Sequence, residues 1–306
     1  MGRSATARSP RGQGTVEWLG LLLIAGLLLA ALAAAGARLP GLGLAGDVYG
    51  RLACAVDLSD VCAEDPELVS AYGIELAELV RANAPEIRYE PGSSALPVDF
   101  RDCRGPACGN GPRRGAVTAS ATGIPPTAFV HVVDCRPGAV ARMPPREASG
   151  CADGLGNVYV QYWLYFENST SLRAVNALGA AAGVRPGFHE DDWESYQVRI
   201  GPGGEVDARA SSHRGYDYGG GPRNWLHDAG LTHPSSWGPA TGDLFVSGGS
   251  HAGHVADDAA RVRWTPAASL VLVPIETLDG EALATPFAIS PPWAKLVYAW
   301  PEATGT

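Results

Sequence analysis

Five ionisable side chains fall within Gly187-Phe188-His189-Glu190-Asp191-Asp192-Trp193-Glu194, and the strand-like run Ser195-Tyr196-Gln197-Val198-Arg199-Ile200 comes directly after them. If the strand begins near Asp192, its period of two puts Asp192 and Glu194 on one face and Trp193 on the other. Two carboxylates on one face repel unless something positive sits between them. With His189 three residues upstream, a divalent cation is the economical partner. Arg185 or Arg214 would serve the same electrostatic purpose, and a solvated acidic loop anchored by a buried Trp193 is the plain structural alternative.

The remaining histidines divide by context. His213 and His251 each follow a serine, Ser212 and Ser250, at the end of an expected strand, so both can reach the rim where His189 lies. His131 sits in the middle of an expected strand and reads as a hydrogen-bonded core residue, whereas His227, His233 and His254 fall in polar loops and are expected to be exposed. Gly248-Gly249-Ser250-His251-Ala252 is one residue away from a G-x-S-x-G nucleophile elbow. An elbow needs a helix after the serine, and residues 253–258 carry no helical pattern.

These groups must be held by a chain of 306 residues with 46% apolar content, enough to bury a core. Glycine (39) and proline (24) are frequent, which favours short strands joined by turns. Strand signals recur at 128–133, 158–166, 194–200, 206–212, 244–246 and 270–274, and outside 172–182 the helical stretches between them are short. The run Val158-Tyr159-Val160-Gln161-Tyr162-Trp163-Leu164-Tyr165-Phe166 has one wholly apolar face and one amphipathic face. The expectation is a mainly β domain over residues 84–306, an antiparallel sandwich. A net charge of -9 without a downstream basic patch argues against nucleic acid as a partner.

Ahead of this domain, residues 18–37 form an uncharged apolar run, WLGLLLIAGLLLAALAAAGA. At about 1.5 Å per residue such a helix crosses a hydrocarbon core of roughly 30 Å. Arg3, Arg8 and Arg11 precede it, so residues 1–16 are expected in the cytoplasm, 17–37 in the membrane, and everything beyond outside the cell membrane. A cleaved secretory signal is the rival reading. Residues 38–83 are expected to form a linker and a short helical neck, with Leu68, Tyr72, Leu76, Leu79 and Val80 along one stripe. All six cysteines lie beyond the apolar run and none has zinc-type spacing. In an oxidising compartment the expected disulfides are the local ones, Cys54 with Cys62, Cys103 with Cys108, and Cys135 with Cys151.

Arg11-Gly12-Gln13-Gly14-Thr15-Val16-Glu17-Trp18 resembles the processing site of type IV prepilins, above all the Flp and TadE-like pilins. The resemblance implies cleavage after Gly12, with Glu17 as the glutamate at the head of the apolar helix, and pilin-like subunits as partners. Farther on, Asn83-Ala84-Pro85-Glu86-Ile87-Arg88-Tyr89, Val160-Gln161-Tyr162-Trp163-Leu164-Tyr165, His189 to Glu194, Ser212-His213 and Gly249-Ser250-His251-Ala252 look like the successive motifs of VPS62-like proteins. The central motif also resembles the GHRHDWE signature of the necrosis-inducing NLP cytolysins. That resemblance implies a jelly-roll-like β-sandwich with a divalent cation at one end. It makes His189, Asp192 and Glu194 the metal-site candidates, with Trp193 packed inward; Asp191, His213, Ser250 and His251 are candidates for the surrounding rim on their position in the chain. Asp191 stands where those toxins have a second histidine, and Phe188 replaces their leading glycine.

Three functional classes are compatible with these residues. One is an envelope-displayed binding module that uses Ca²⁺, Mg²⁺ or Mn²⁺ to recognise a glycan or a lipid headgroup. The second is a metal-assisted hydrolase of the cell envelope built on Asp192, Glu194 and His189. The third is a structural pilin-like subunit that carries the β domain as cargo.

Overall fold

The computed structural model describes residues 26, 62, 64–90, 96–101, 126–143, 145–170, 188–212, 215–217, 237–256, 264, 269–278, 287 and 289–294. For residues 146–147, 170, 188–189, 212 and 215–217 the description covers backbone only. Two compact units emerge, Met1–Ile74 and Glu75–Thr306.

In the first unit the described part is chiefly the helix Pro66–Tyr72, which starts with proline at its first turn and stops at Gly73, whose φ of +80° suits glycine. The neck stripe therefore becomes two helices, the second being Ile74–Ala82. Cys62 is disulfide-bonded. Among the described residues no helix is long and apolar enough to cross a membrane. The expected segment 17–37 lies outside those residues except for Gly26, which is helical, and Gly12, Glu17, Cys54, Cys103 and Cys108 lie outside them too.

The second unit is mainly β. Among the described residues ten strands run in chain order: β1 (Glu86–Tyr89), β2 (Thr127–Asp134), β3 (Val158–Thr170), β4 (Phe188–Ile200), β5 (Val206–Ser212), β6 (Gly215–Asp217), β7 (Gly238–Pro239), β8 (Asp243–Val246), β9 (Gly253–His254) and β10 (Val271–Pro274). They make a larger sheet of order β10-β2-β3-β4-β5-β6, with β7 also on β5, and a smaller one of order β1-β8-β9. The expected all-antiparallel arrangement is corrected: β1 runs parallel to β8 and β10 parallel to β2, so both sheets are mixed. Turn residues between neighbouring strands announce hairpins, which are antiparallel; these two pairs join segments far apart in the chain, where no local turn sets direction.

The centre of the larger sheet is the β3–β4 pair, in register from Val158 opposite Ile200 to Thr170 opposite Phe188. Both strands extend beyond the apolar runs that announced them. Val160, Tyr162, Leu164, Phe166, Tyr196 and Val198 fill one face and are fully buried. Over that face, the Tyr162 hydroxyl donates to the Val80 carbonyl at 2.5 Å, satisfying one of the orphan acceptors at the end of the helix Ile74–Ala82. The smaller sheet approaches the same face through β9. A Cβ on Gly253 would stand 2.9 Å from Ala210 Cβ on β5 and 3.1 Å from Leu244 Cδ1, so only glycine permits this spacing.

The opposite face, which alternation marked as amphipathic, is buried as well. Trp163, Tyr165, Phe129 and Trp193 meet Val98, Phe100, Phe287 and Trp293 in one aromatic cluster, and Val133 and Tyr159 pack against Cys135 and Cys151 in another. Cys135 and Cys151 are joined across a Cα separation of 5.2 Å, as expected, tying together the short helical connection between β2 and β3.

Candidate functional site

Alternation along β4 assigns its acidic residues to opposite faces. Asp192 lies opposite Phe166 and Glu194 opposite Leu164, on the face that meets the smaller sheet. Trp193 turns to the other side, into the aromatic cluster, with its ring 4.9 Å from Tyr165 and 5.0 Å from Trp293, and its Nε1–H donating to the Ile289 carbonyl.

The smaller sheet delivers His251 to this point. After β8 the chain turns through Gly248, Gly249 and Ser250; the Gly248 N–H donates to Glu90 Oε2 at 2.7 Å, and Gly249 has φ +92°. His251 then lies face to face on Phe166, ring centres 4.0 Å apart and 3° from parallel, with its Nδ1 2.8 Å from Asp192 Oδ2. Only 3% of His251 and 6% of Asp192 is exposed, so the pair sits where charge interactions are little screened. An ionised Asp192 holds the imidazole proton on Nδ1 and leaves Nε2 as the ligating or proton-accepting atom.

Glu194 is buried beside them. Its carboxylate is bound by the Ser211 hydroxyl of β5, whose oxygen in turn accepts the Ser195 N–H at 2.6 Å. Burial holds the Glu194 carboxyl well above the usual carboxylate range, and the neighbouring Asp192 charge pushes the same way; the Ser211 hydrogen bond opposes both without prevailing. The repulsion inferred from the sequence thus shows as a raised pKa at Glu194, with His251 beside Asp192.

Two backbone features converge on this cluster. Asp191 and His251 are the non-glycine residues with positive φ among the described residues, both at 56°. One precedes Asp192 and the other hydrogen-bonds to it. The β3–β4 register continues unslipped on both sides, Asn168 opposite Glu190 and Phe166 opposite Asp192, so the left-handed turn at Asp191 is a local twist. Asp191 itself is not at the rim with His251. Its side chain is 1% exposed and accepts the Tyr165 hydroxyl at 2.7 Å, on the aromatic side of the sheet, because neighbouring strand residues point to opposite faces.

Ser250 is half-buried in the turn, and the chain continues from it into strand β9, so the helix that a nucleophile elbow requires is absent at 253–254. His131 is a buried core residue bonded through Nδ1 to Glu276 Oε1 at 2.9 Å. The expectation of an exposed His254 is corrected: it is 1% exposed and its Nε2 lies 3.0 Å from Ser247 Oγ. A two-residue strand carries no periodicity that could have announced it. The side chains of His189 and His213 lie outside the described residues, as do His227 and His233. Among the described residues, no group of three or more His, Cys, Asp or Glu side chains is arranged to hold a metal ion. Ser211 and Phe166 had no mark in the sequence, since a serine and a phenylalanine in strands are ordinary core residues until their partners are known.

Comparison with protein-family models, with curated proteins and with solved structures finds no match. The site therefore speaks through its chemistry: two carboxylates on one strand face, a hydroxyl and an imidazole, all oxygen or nitrogen donors of the kind that hard divalent cations accept. A cation would oppose the raised Glu194 pKa by supplying positive charge beside the two carboxylates.

Proposed function

We propose that this chain is an exported envelope protein, anchored by residues 17–37 and processed after Gly12, whose jelly-roll-like β-sandwich binds a divalent cation and uses it to recognise a glycan or lipid headgroup. Asp192 and Glu194 would hold the cation, with His251 orienting Asp192. Bound there, the ion would supply open coordination positions for hydroxyl or phosphate oxygens of the ligand. The observation that carries the reading is the convergence of two strained, non-glycine residues, Asp191 and His251, on one buried carboxylate, Asp192. Such conformations cost of order 1–3 kcal/mol each and collect where geometry serves function.

The test is elemental analysis of the full 306-residue chain purified in detergent, together with thermal unfolding in EDTA and in Ca²⁺, Mg²⁺ or Mn²⁺. The expected result is one equivalent of a divalent metal and a melting temperature that chelation lowers in the wild type and leaves alone in Asp192→Asn. A metal-free protein whose melting responds to none of the ions removes the site. A second reading, metal-assisted hydrolysis, is favoured by one observation: the Asp192–His251 pair has the form of a base oriented by a carboxylate. It requires turnover of an ester or phosphodiester substrate that His251→Gln abolishes while metal content is retained.

A further inference from the structure

On the opposite face of the larger sheet, away from Asp192, four polar side chains stand side by side across four strands. His131 of β2 lies opposite Gln161 of β3, Gln161 opposite Gln197 of β4, and Gln197 opposite Arg209 of β5. None is more than 4% exposed. The row separates the two hydrophobic clusters of that face, one built on Phe129, Trp163 and Tyr165 and the other on Val133 and Tyr159. Alternation would allow Val, Leu or Phe at every one of these positions, which would merge the clusters into one core.

Part of the band is satisfied. His131 meets Glu276, and Arg209 donates from Nε and Nη2 to Gln197 Oε1 at 3.0 and 2.7 Å. That double hydrogen bond fixes the amide, since only its oxygen can face a guanidinium, and turns the Gln197 NH₂ group away from Arg209. The Gln197 Nε2 is buried and has no hydrogen-bond partner among the described residues. The same holds for Ser195 Oγ, two residues along β4 on the same face, and for Trp163 Nε1, directly across from Ser195 on β3. A fourth such buried donor, the Trp237 Nε1, belongs to the ring that lies over Arg209, 4.3 Å from its guanidinium carbon. Indole and amide N–H groups can only donate, and a buried donor is left unmade at a cost unless something accepts from it.

From the three unmade donors of Gln197, Ser195 and Trp163, which lie two residues and one strand apart, we propose that the band is a second binding site, which takes a small oxyanion of the carboxylate or phosphate type. A carboxylate or a fully ionised phosphoryl or sulfate group accepts hydrogen bonds at every oxygen and brings no hydrogens needing acceptors of their own. A water molecule in the same place has two to donate. Trp237 covers the Arg209 end and leads into β7, a two-residue strand paired with Asp207 and Ala208 of β5, and this side is the expected route of entry. The site is independent of the cation site, which uses the other face of β4.

The test is thermal unfolding and calorimetric titration of the full chain in detergent, with sodium phosphate, sulfate and acetate against sodium chloride at matched ionic strength, all in EDTA. At least one oxyanion is expected to raise the melting temperature saturably where chloride does not. Gln197→Glu retains an acceptor for Arg209 and so preserves the local pairing, but replaces the donor by a carboxylate; it is expected to weaken that oxyanion at least tenfold. Ser195→Ala, a smaller change, is expected to weaken it less. If no oxyanion exceeds the chloride control, or if Gln197→Glu binds as the wild type does, the band is a structural feature of the core and the proposal fails.

Discussion

Replacing Glu194 by glutamine tests the electrostatic account of the cluster most directly. Glutamine keeps the shape and the acceptor for Ser211, and removes the ability to ionise. In the folded protein burial and the Asp192 charge raise the Glu194 pKa well above its ordinary value of 4.5, which the unfolded chain retains. Between those two values the unfolded chain has released its proton and the folded chain keeps it, so stability falls as pH rises through that window, by at most about 1.4 kcal/mol per pH unit for one proton. Below the unfolded value both states are protonated and the term vanishes. Glu194→Gln, measured by urea unfolding from pH 4 to pH 8 in EDTA, is therefore expected to match the wild type at pH 4 and to be more stable at neutral pH. With a saturating divalent cation the gap should narrow: the wild type gains about 2.7 kcal/mol at a hundredfold excess over the dissociation constant, and the variant loses much of that gain. Wild-type and variant stabilities that stay parallel across the pH range in EDTA would rule out a raised Glu194 pKa, because a carboxyl with an unshifted pKa gives no such difference.

Gly253→Ala forces a methyl group within 2.9 Å of Ala210 Cβ and should cost about 1–3 kcal/mol in chemical denaturation, with the near-ultraviolet signal of the core reduced; an unchanged midpoint would mean that the sheets do not meet there. Removing the Cys135–Cys151 bridge by double serine substitution, across a sequence separation of 16, is expected to cost about 3 kcal/mol, read as the shift in urea midpoint under non-reducing conditions. Tyr165→Phe takes the 2.7 Å donor away from the buried Asp191 carboxylate, and a loss of about 1–3 kcal/mol in urea unfolding is expected.

The strands around the centre were legible because their signals are local. The apolar run at Val158–Phe166 and the alternation after Asp192 mark β3 and β4, and the same alternation already separates Asp192 and Glu194 from Trp193. His131 could be placed in the core for the same reason, and the spacing of Cys135 and Cys151 suited the bridge that forms. What escaped depends on contacts between distant segments. No residue near Glu86 says that β1 will lie parallel to β8, and nothing in His254 says that a two-residue strand will carry it under the sheet. Asp191 was grouped with its neighbours by charge, but a positive φ and a tyrosine on another strand decide where it points. The burial of both faces of β3, and with it the polar row through Gln161, depends on which segments cover the sheet, a fact carried by residues such as Phe100 and Trp293 that have no distinguishing pattern of their own.

The two parallel pairings bear on when this domain can fold. Arg88 on β1 is linked to Asp243 on β8 across 155 residues, and the edge strand β10 that completes β2 comes later still. Closing loops of that length is entropically slow, and contacts of high sequence separation form late. If the chain crosses a membrane from its N-terminal end, β1 emerges long before β8, and the outer edge of β2 long before β10. Their open edges then need protection until residues near 274 have crossed too. The timing of translocation against the arrival of β8 and β10 would then decide between a folded product and an aggregated one, and truncations that stop short of Val271 should accumulate as protease-sensitive chains even though every residue of the Asp192 cluster is present.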